Sequence, residues 1–378
     1  MSATVSQEET VLPSRFDEFL GLDIATPALV VDVPRMDRNI RRMVDRLGAL
    51  GIDCRPHAKT HKSVEIARRQ LRAGAIGITV ATISEAEVFA AGGIDDIFIA
   101  YPVWAVGAKR QRLAALNDAV QLAVGVDSVP AVAHLAAAAQ ASTRPLRVLV
   151  ELDSGEHRTG VPDGAGAVAV ADAAARAGLD VCGVFTHGGH SYRSRAAARE
   201  AAADEVDVLG DAAEALRQAG HAVTVVSGGS TPSSPYAMGD SLTELRPGTF
   251  VFGDRQQCAL GGVREDDLAL VVVSTVVSHT HTDQVVLDAG AKVLSKDLPA
   301  TVDGYGWLPR YPDARITRLF DHHAPVTLAA GPEPTLGEIV AVVPNHACAV
   351  VNLATELFAV QADGSVERWP VDAHSRNT

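Results

Sequence analysis

Short apolar runs alternate with amphipathic segments along the first two thirds of the sequence, and this alternation restricts the fold more than any other feature. Strands of parallel sheets are buried on both faces, so they read as continuous apolar runs, and α/β folds place a helix after each one. We identify eight such candidate strands, at residues 25–33, around residue 54, and at residues 76–81, 96–101, 121–126, 146–152, 181–186 and 223–227.

The number of these units favours one architecture. Eight strand–helix units in this length are typical of a closed (β/α)8 TIM-type barrel rather than an open doubly wound sheet. After about residue 265 the helical segments stop, while strand-like runs continue at 268–277, 283–288, 325–329, 339–343 and 357–361. We therefore predict a barrel over residues 25–265 and a β-rich C-terminal domain over residues 266–378. For residues 1–24 two placements are open, on the β-rich domain or over the barrel.

Composition excludes several kinds of partner. The formal net charge is −13, with 46 acidic and 33 basic residues, which argues against binding to nucleic acid or to an anionic membrane. No run of about 18 apolar residues occurs, and the first ten residues contain no apolar stretch, so we expect neither a membrane span nor a signal peptide. The four cysteines form no C-x-x-C pair, which favours a reducing compartment and a cytoplasmic protein.

The segment R-P-H-A-K-T-H-K-S at residues 55–63 follows the second predicted strand. In α/β barrels the carboxyl ends of strands carry the catalytic groups. An amine at Lys59 can act as a Schiff-base nucleophile if burial or neighbouring cations lower its pKa, and His57 is one such neighbour. A solvated basic loop is the alternative interpretation of this segment.

A second motif, S-G-G-S-T, lies at the end of the last predicted barrel strand. Glycines allow close backbone approach, so N–H groups and hydroxyls in this loop can bind a phosphate, although an ordinary Gly-Gly turn has the same sequence. A lysine and a phosphate loop at one rim together suggest pyridoxal 5′-phosphate (PLP) as the cofactor. The loop residues are Ser227, Gly228, Gly229, Ser230 and Thr231.

Further motifs occur in order over nearly the whole chain: D-S-G-E-H-R-T-G-V, T-H-G-G-H-S-Y, E-L-R-P-G-T-F, L-D-A-G-A-K and P-N-H-A-C-A-V-V-N. With the two motifs above, they resemble the D-threonine aldolase and D-serine dehydratase family, whose members have the alanine racemase fold. The resemblance implies that Lys59 holds PLP covalently, that Arg158 faces its phenolic oxygen and that Tyr192 hydrogen-bonds its pyridine nitrogen. It also implies a homodimer.

His346 and Cys348 indicate a separate site. In an extended strand, side chains two positions apart point to the same side, so an imidazole and a thiolate can bind one cation. A buried cysteine beside an unrelated histidine is the alternative. The resemblance implies a divalent metal, Zn²⁺ or Mn²⁺, at these positions. The soft thiolate favours zinc, which the resembling dehydratases use, whereas several D-threonine aldolases have an aspartate there and use manganese.

The resemblance implies a D-3-hydroxy amino acid as the small-molecule substrate. We predict retro-aldol cleavage to glycine and an aldehyde, ahead of dehydration to a 2-oxo acid and ammonia. For the general base we consider His190 first and His187 second, or a water on the metal. Two other classes stay open: an amino-acid racemase without metal, and a non-enzymatic PLP-binding protein, which the predicted C-terminal domain disfavours.

Overall fold

The computed structural model describes residues 14–238 and 241–378. Within these ranges the chain forms sixteen β-strands and ten α-helices. The strands are β1 (Ala28–Asp32), β2 (Asp53–Cys54), β3 (Ile78–Val80), β4 (Asp96–Pro102), β5 (Gln121–Val126), β6 (Arg147–Leu152), β7 (Asp180–Thr186), β8 (Val225–Gly228), β9 (Glu244–Leu245), β10 (Leu270–His281), β11 (Gln284–Leu287), β12 (Arg315–Ile316), β13 (Ala324–Thr327), β14 (Ile339–Val342), β15 (Glu356–Val360) and β16 (Val366–Pro370). The helices are α1 (Val33–Gly48), α2 (Val64–Arg72), α3 (Ile83–Ala91), α4 (Ala108–Ala119), α5 (Val129–Ala139), α6 (Gly164–Arg176), α7 (Arg195–Gln218), α8 (Arg255–Leu260), α9 (Ala291–Leu294) and α10 (Ala347–Leu353).

Strands β2 to β9 form a parallel barrel. Their order is β2-β9-β8-β7-β6-β5-β4-β3, and each neighbouring pair is parallel. The two strands at the ends of this order are joined by hydrogen bonds, from the Ile76 N–H to the Cys54 carbonyl (3.0 Å) and from the Thr79 N–H to the Pro56 carbonyl (2.9 Å). The sheet therefore closes on itself, with helices α2 to α7 between its successive strands. This confirms the predicted (β/α)8 barrel.

The first and last barrel strands differ from the prediction. The apolar run at 25–33 was expected to begin the barrel, and this is wrong: its strand, β1, pairs antiparallel with β10 and parallel with β15 in the second sheet. The remaining barrel strand is β9, which lies between β8 and β2. An apolar run reports burial and not which sheet buries it, and the two residues of β9 are too few to form a run.

The second sheet forms the predicted β-rich domain. Its order is β12-β13-β11-β10-β1-β15-β16, and β14 also pairs with β10. Strands β12 and β16 escaped prediction because β12 has two residues and β16 buries only Trp369. In the described part of the N-terminal segment, Phe16 and Phe19 pack against this sheet at Val271 and Phe358. Residues 1–13 of that segment lie outside the described residues.

Side-chain caps begin several helices. Asp32, Asp163, Ser194 and Asp254 each precede a helix, and each accepts the backbone N–H of the residue three positions on. This satisfies an N–H group that has no partner within the helix, so each cap defines where the preceding loop ends. Of the helices in the described ranges, none combines the length and the apolar character that crossing a membrane requires.

The barrel interior contains both an aromatic layer and buried charges. The Phe98 and Phe185 rings meet edge to face with their centroids 5.1 Å apart. Nearby, the Arg55 guanidinium pairs with Glu244 at 2.8 Å and with Asp96 at 2.5 Å. Arg55 is 7% exposed and Glu244 is 3% exposed, so removing one partner leaves the other charge buried without compensation.

We expect Arg55→Ala to lower the free energy of unfolding by about 3–5 kcal/mol, because Glu244 then loses its buried cation. Arg72→Ala is the matched control, since Arg72 pairs with Glu65 at 3.1 Å on the surface with its side chain 60% exposed. The control should cost at most about 1 kcal/mol. Urea unfolding of the cofactor-free variants measures both values, and equal losses would contradict the expected role of the buried pair.

Candidate active site

A cavity of about 540 Å³ opens at the carboxyl ends of the barrel strands. The barrel supplies one wall, and the β-rich domain supplies the other through Asp297, Pro299 and the start of α10. Because parallel strands end at the same rim, residues that are distant in sequence meet here. The cavity is lined by His57, Lys59, Thr60, Ala100, Arg158, Phe185, His187, Tyr192, Gly229, Ser230, Thr231, Arg246, Gly248, Thr249, Gln256, Asp297, Pro299, His346, Cys348 and Ala349.

Lys59 projects into the cavity from the segment after β2, where Ala58–Thr60 form a 3-10 turn. His57 caps this turn, since its Nδ1 accepts the Lys59 N–H at 3.4 Å. The Lys59 side chain borders the open cavity, but the surrounding protein desolvates its amine and lowers its pKa. The charge of Cys348 opposes this shift, and the charge of Arg158 adds to it. A lower pKa increases the fraction of neutral amine, which is the nucleophilic form.

Two histidines line the same cavity as neutral imidazoles. Burial lowers the pKa of His57 well below 6.5, and the charges of Lys59 and Arg246 lower it further. Burial also lowers the pKa of His187 well below this value, with Lys59 and Arg158 as the next causes. A neutral imidazole accepts a proton at neutral pH. The cavity therefore holds proton acceptors besides the Lys59 amine.

The loop after β8 forms one end of the cavity with Gly229, Ser230 and Thr231. Gly229 has a φ of +83°, a conformation that the lack of a Cβ allows. The Ser230 hydroxyl lies 3.0 Å from the Ser191 hydroxyl. Thr231 Oγ1 accepts the Phe250 N–H at 3.1 Å, so its own proton is free to be donated to an anion.

Two residues of the predicted phosphate loop, Ser227 and Gly228, do not line this cavity. Ser227 Oγ donates to Glu244 Oε1 at 2.6 Å inside the barrel. A Cβ at Gly228 would lie 3.4 Å from the Leu242 side chain. Both residues belong to β8 itself, whereas the loop that borders the cavity begins at Gly229. The motif alone did not reveal where the strand ends.

The segment after β9 contributes three cavity residues, Arg246, Gly248 and Thr249, to which the sequence analysis gave no role. Thr249–Val251 form a 3-10 helix, and the N–H of its second residue, Phe250, is the one that donates to Thr231 Oγ1. These residues fall in the E-L-R-P-G-T-F motif. Recognising β9 as a barrel strand would have pointed to them, because active-site residues follow barrel strands.

Arg246 is a fixed cation at the floor of the cavity, and it is 5% exposed. Its guanidinium donates to Ser227 Oγ and to the Thr186 carbonyl. It also lies over the Phe98 and Phe185 rings, 5.7 and 5.4 Å from their centroids. An arginine remains charged even when buried, so Arg246 keeps a positive charge beside the neutral histidines.

Arg158 and Tyr192 reach the cavity from the loops that follow two neighbouring strands, β6 and β7. Arg158 lies between β6 and α6, and Tyr192 ends a 3-10 turn, Gly189–Tyr192, that follows β7. Burial raises the pKa of the Tyr192 phenol, so its hydroxyl stays protonated and can donate a hydrogen bond. The Tyr192 ring centroid is 6.3 Å from that of His187.

Of the two candidate bases, His187 lines the cavity and His190 does not. His190 Nε2 lies 3.0 Å from Asp204 Oδ2 on α7, and its ring packs beside Gly155. The backbone dihedral angles of the glycine-rich turn decide which imidazole enters the cavity, and these angles cannot be read from the motif. As a proposed base, His187 therefore comes ahead of His190.

His346 and Cys348 both line the cavity, but the extended strand predicted for them is wrong. His346 is the N-cap of α10, and Cys348 lies in the first turn of this helix. The preceding strand, β14, ends at Val342. A helix of seven residues is too short to show a helical period, so its apolar sequence looked like the continuation of a strand.

The two side chains form a charged pair, and a metal ion bound there would replace the extra proton of His346. His346 Nδ1 lies 2.5 Å from Asp297 Oδ2, so Nε2 is the nitrogen that would bind a metal. Burial alone would raise the pKa of the Cys348 thiol, but the His346 charge and Thr60, whose Oγ1 lies 3.2 Å away, lower it. Burial alone would lower the pKa of His346, but the Cys348 thiolate and Asp297 raise it to about 11. The thiolate is the form of cysteine that binds metals.

The residues present fit both PLP and a divalent metal. For PLP, the cavity provides an amine of lowered pKa at Lys59 and hydroxyl donors at Ser230 and Thr231. For a metal, it provides an imidazole and a thiolate. The residues that the structure describes contain no group of three or more metal-binding side chains. Two protein ligands would make an open site that water or substrate completes.

Comparison with known proteins identifies the family. The sequence model of the alanine racemase N-terminal domain matches residues 31–256, and that of a serine dehydratase domain matches residues 269–360. The chain is 36% identical to D-threo-3-hydroxyaspartate dehydratase from Delftia sp. (strain HT23), over 93% of this chain and 98% of that protein. It is 34% identical to D-threonine aldolase from Arthrobacter sp., over 93% of each.

A solved structure is also similar, that of a cysteine-to-alanine mutant of D-threo-3-hydroxyaspartate dehydratase in the metal-free form. Its TM-score is 0.85, and the two chains are 36% identical over 92% of this chain and 97% of that one. The barrel, the C-terminal sheet domain and these matches define an enzyme class, the fold type III PLP enzymes with the alanine racemase fold. Within this class, the chain belongs to the D-threonine aldolase and D-serine dehydratase family.

Glu151, near the end of β6, carries a buried carboxyl beneath this site. It is 3% exposed, and its Oε1 accepts the Thr159 hydroxyl at 2.8 Å. Burial raises the pKa of Glu151 to about 6 from its ordinary 4.5. The folded protein thus binds this proton more tightly than the unfolded chain does. The resulting stabilisation is complete below about pH 4.5 and is lost as the pH rises through about 6.

We expect Glu151→Gln, which resembles the protonated form, to remove this contribution. Between pH 4.5 and pH 7.5, the wild type should lose about 2 kcal/mol more of its unfolding free energy than the variant does. Urea unfolding of both cofactor-free proteins across this range measures the difference. A difference that does not change with pH would contradict the raised pKa.

Proposed function

We propose that this protein is a PLP- and divalent-metal-dependent lyase that cleaves D-3-hydroxy amino acids by a retro-aldol reaction, giving glycine and an aldehyde. The observation that carries the proposal is that Lys59, His187 and the His346–Cys348 pair line one cavity. A nucleophilic amine, a separate proton acceptor and a pair of metal ligands are the groups that this reaction needs. The similarity to D-threonine aldolase over 93% of the chain supports the reaction type.

The cofactor would be held along the length of the cavity. Lys59 would bind it covalently, and the Ser230 and Thr231 hydroxyls would donate to its phosphate. Arg158 would face the phenolic oxygen, and Tyr192 would donate to the pyridine nitrogen. When bound, PLP withdraws the electron pair that remains on the substrate Cα after the bond is cleaved.

His187 would accept the proton of the substrate β-hydroxyl, since its lowered pKa keeps its lone pair available. A divalent ion on His346 and Cys348 would make that hydroxyl more acidic. As the proton leaves, the Cα–Cβ bond breaks and the former hydroxyl oxygen becomes the aldehyde carbonyl. The electron pair stays on Cα, which then takes up a proton to give glycine.

Dehydration is the second candidate, and Cys348 is the observation that favours it. A soft thiolate ligand prefers zinc, and a relative that is 36% identical is a dehydratase. In this reaction the Lys59 amine would take the Cα proton, and the β-hydroxyl would leave as hydroxide. Hydrolysis of the product would then give a 2-oxo acid and ammonia.

Product analysis separates the reactions. We expect the PLP-loaded protein to release acetaldehyde and glycine from D-threonine, and to lose this activity with a chelator. A 2-oxo acid and ammonia from D-threonine or D-serine, without aldehyde, would replace the proposal with dehydration. Chelator-insensitive formation of an L-isomer would indicate racemisation. Lys59→Ala should abolish turnover and the visible absorbance of bound PLP, which tests the covalent link independently of the reaction.

The orientation of His346 by Asp297 gives a prediction for metal binding. We expect Asp297→Asn to weaken Zn²⁺ binding about 10- to 100-fold, because an amide orients and polarises the imidazole less than a carboxylate. The matched control is Asp321→Asn, since the Asp321 side chain is 71% exposed and lies 3.6 Å from Lys292. Competition with a chromophoric chelator measures the affinities. Equal affinities of the two variants would rule out the proposed role of Asp297.

A further inference from the structure

Glu205 is a buried carboxylate that has no role in the reaction proposed above. It lies in the middle of α7 and is 2% exposed. Its Oε1 accepts two backbone N–H groups, from Gly188 at 2.8 Å and from Gly229 at 3.2 Å. Gly188 directly follows His187, and Gly229 begins the loop that borders the phosphate end of the cavity. One oxygen atom therefore joins two turns that follow different barrel strands.

The carboxylate also changes which groups of the loop are free. The Gly229 N–H is directed at Glu205 and is not available to an anion in the cavity. The Ser230 N–H is likewise engaged, since it donates to Ser233 Oγ at 2.9 Å. The Thr231 hydroxyl is among the groups at this end that stay available to bind an anion. Glu205 does not bind the anion itself but holds the loop that carries this hydroxyl.

Leaving either N–H group without an acceptor is unfavourable in this environment. Buried backbone donors are almost always paired, and an unpaired one carries the full cost of its desolvation. A second contact between the turns, between the Ser191 and Ser230 hydroxyls at 3.0 Å, does not satisfy these donors. Without the Glu205 carboxylate, we expect both turns to move until Gly188 and Gly229 find other acceptors.

The glycine at position 188 is explained by the same carboxylate. A Cβ there would lie 2.8 Å from Glu205 Oε1, which is closer than real Cβ contacts. Gly188 has a φ of −73° and a ψ of 68°, close to the inverse γ-turn conformation, which alanine can adopt. Gly188→Ala would therefore displace the carboxylate while leaving the backbone conformation accessible.

We propose that Glu205 is a positioning residue that couples the phosphate loop to the turn carrying His187, so that the cofactor phosphate and the base are aligned by one atom. This inference rests on the proposed PLP site. Its consequence is specific: a change at Gly188, outside the phosphate loop, weakens binding of the phosphate through Glu205.

Binding of PLP and of pyridoxal, which lacks the phosphate, to the cofactor-free full chain tests the proposal. We expect Glu205→Ala to weaken PLP binding about 10- to 100-fold, as the loss of acceptors for two buried donors predicts. Pyridoxal binding should change by less than about threefold, because it does not use the phosphate loop. Glu205→Gln should stay close to the wild type, because its amide oxygen can accept both N–H groups. Glu200→Ala, an exposed glutamate on the same helix, is the control.

Gly188→Ala provides a second route if Glu205→Ala does not fold. We expect it to weaken PLP binding in the wild-type background. It should have almost no further effect in the Glu205→Ala background, where the carboxylate contact is already lost. Unchanged PLP binding in either single variant that folds would overturn the proposal. An equal loss for pyridoxal would also overturn it, because that indicates a general structural role. If the wild type itself binds no PLP, the proposed function fails instead.

Discussion

The closed parallel sheet is the constraint on which the whole active site depends. Because all eight barrel strands run in one direction, their carboxyl ends meet at one rim. Lys59 follows β2, His187 follows β7, Thr231 follows β8 and Arg246 follows β9, and all four line one cavity. The chemistry is thus assembled by strand direction, since no two of these residues are close in sequence.

The same cavity sets the protonation states of its residues. Lys59 is exposed to the cavity and His57 and His187 are half-buried, but the surrounding protein desolvates all three groups and disfavours the charged form of each. The cations Arg158 and Arg246 act in the same direction, and their effect is stronger in a low-dielectric environment. Desolvation and fixed positive charge therefore lower the pKa of the Lys59 amine and of both imidazoles together.

The β-rich domain completes the site through a shared carboxylate. Asp254 Oδ1 accepts the Gln257 N–H at 2.8 Å and caps α8, while its Oδ2 accepts the Ala347 N–H at 2.9 Å at the start of α10. Burial raises the pKa of Asp254 to about 6. This carboxylate connects the segment after the last barrel strand to the helix that carries Cys348, next to His346, and so places both side chains against the barrel.

The sequence by itself determined most of the buried strands and the existence of both domains, and it singled out Lys59, which lines the cavity. Only the tertiary structure decided that β1 belongs to the second sheet, that β9 closes the barrel and brings in Arg246, and that His187 rather than His190 enters the cavity. The reason is physical. Apolar periodicity reports burial and local conformation, whereas sheet membership and side-chain direction depend on hydrogen-bond partners and turn dihedral angles set by residues far away in the chain.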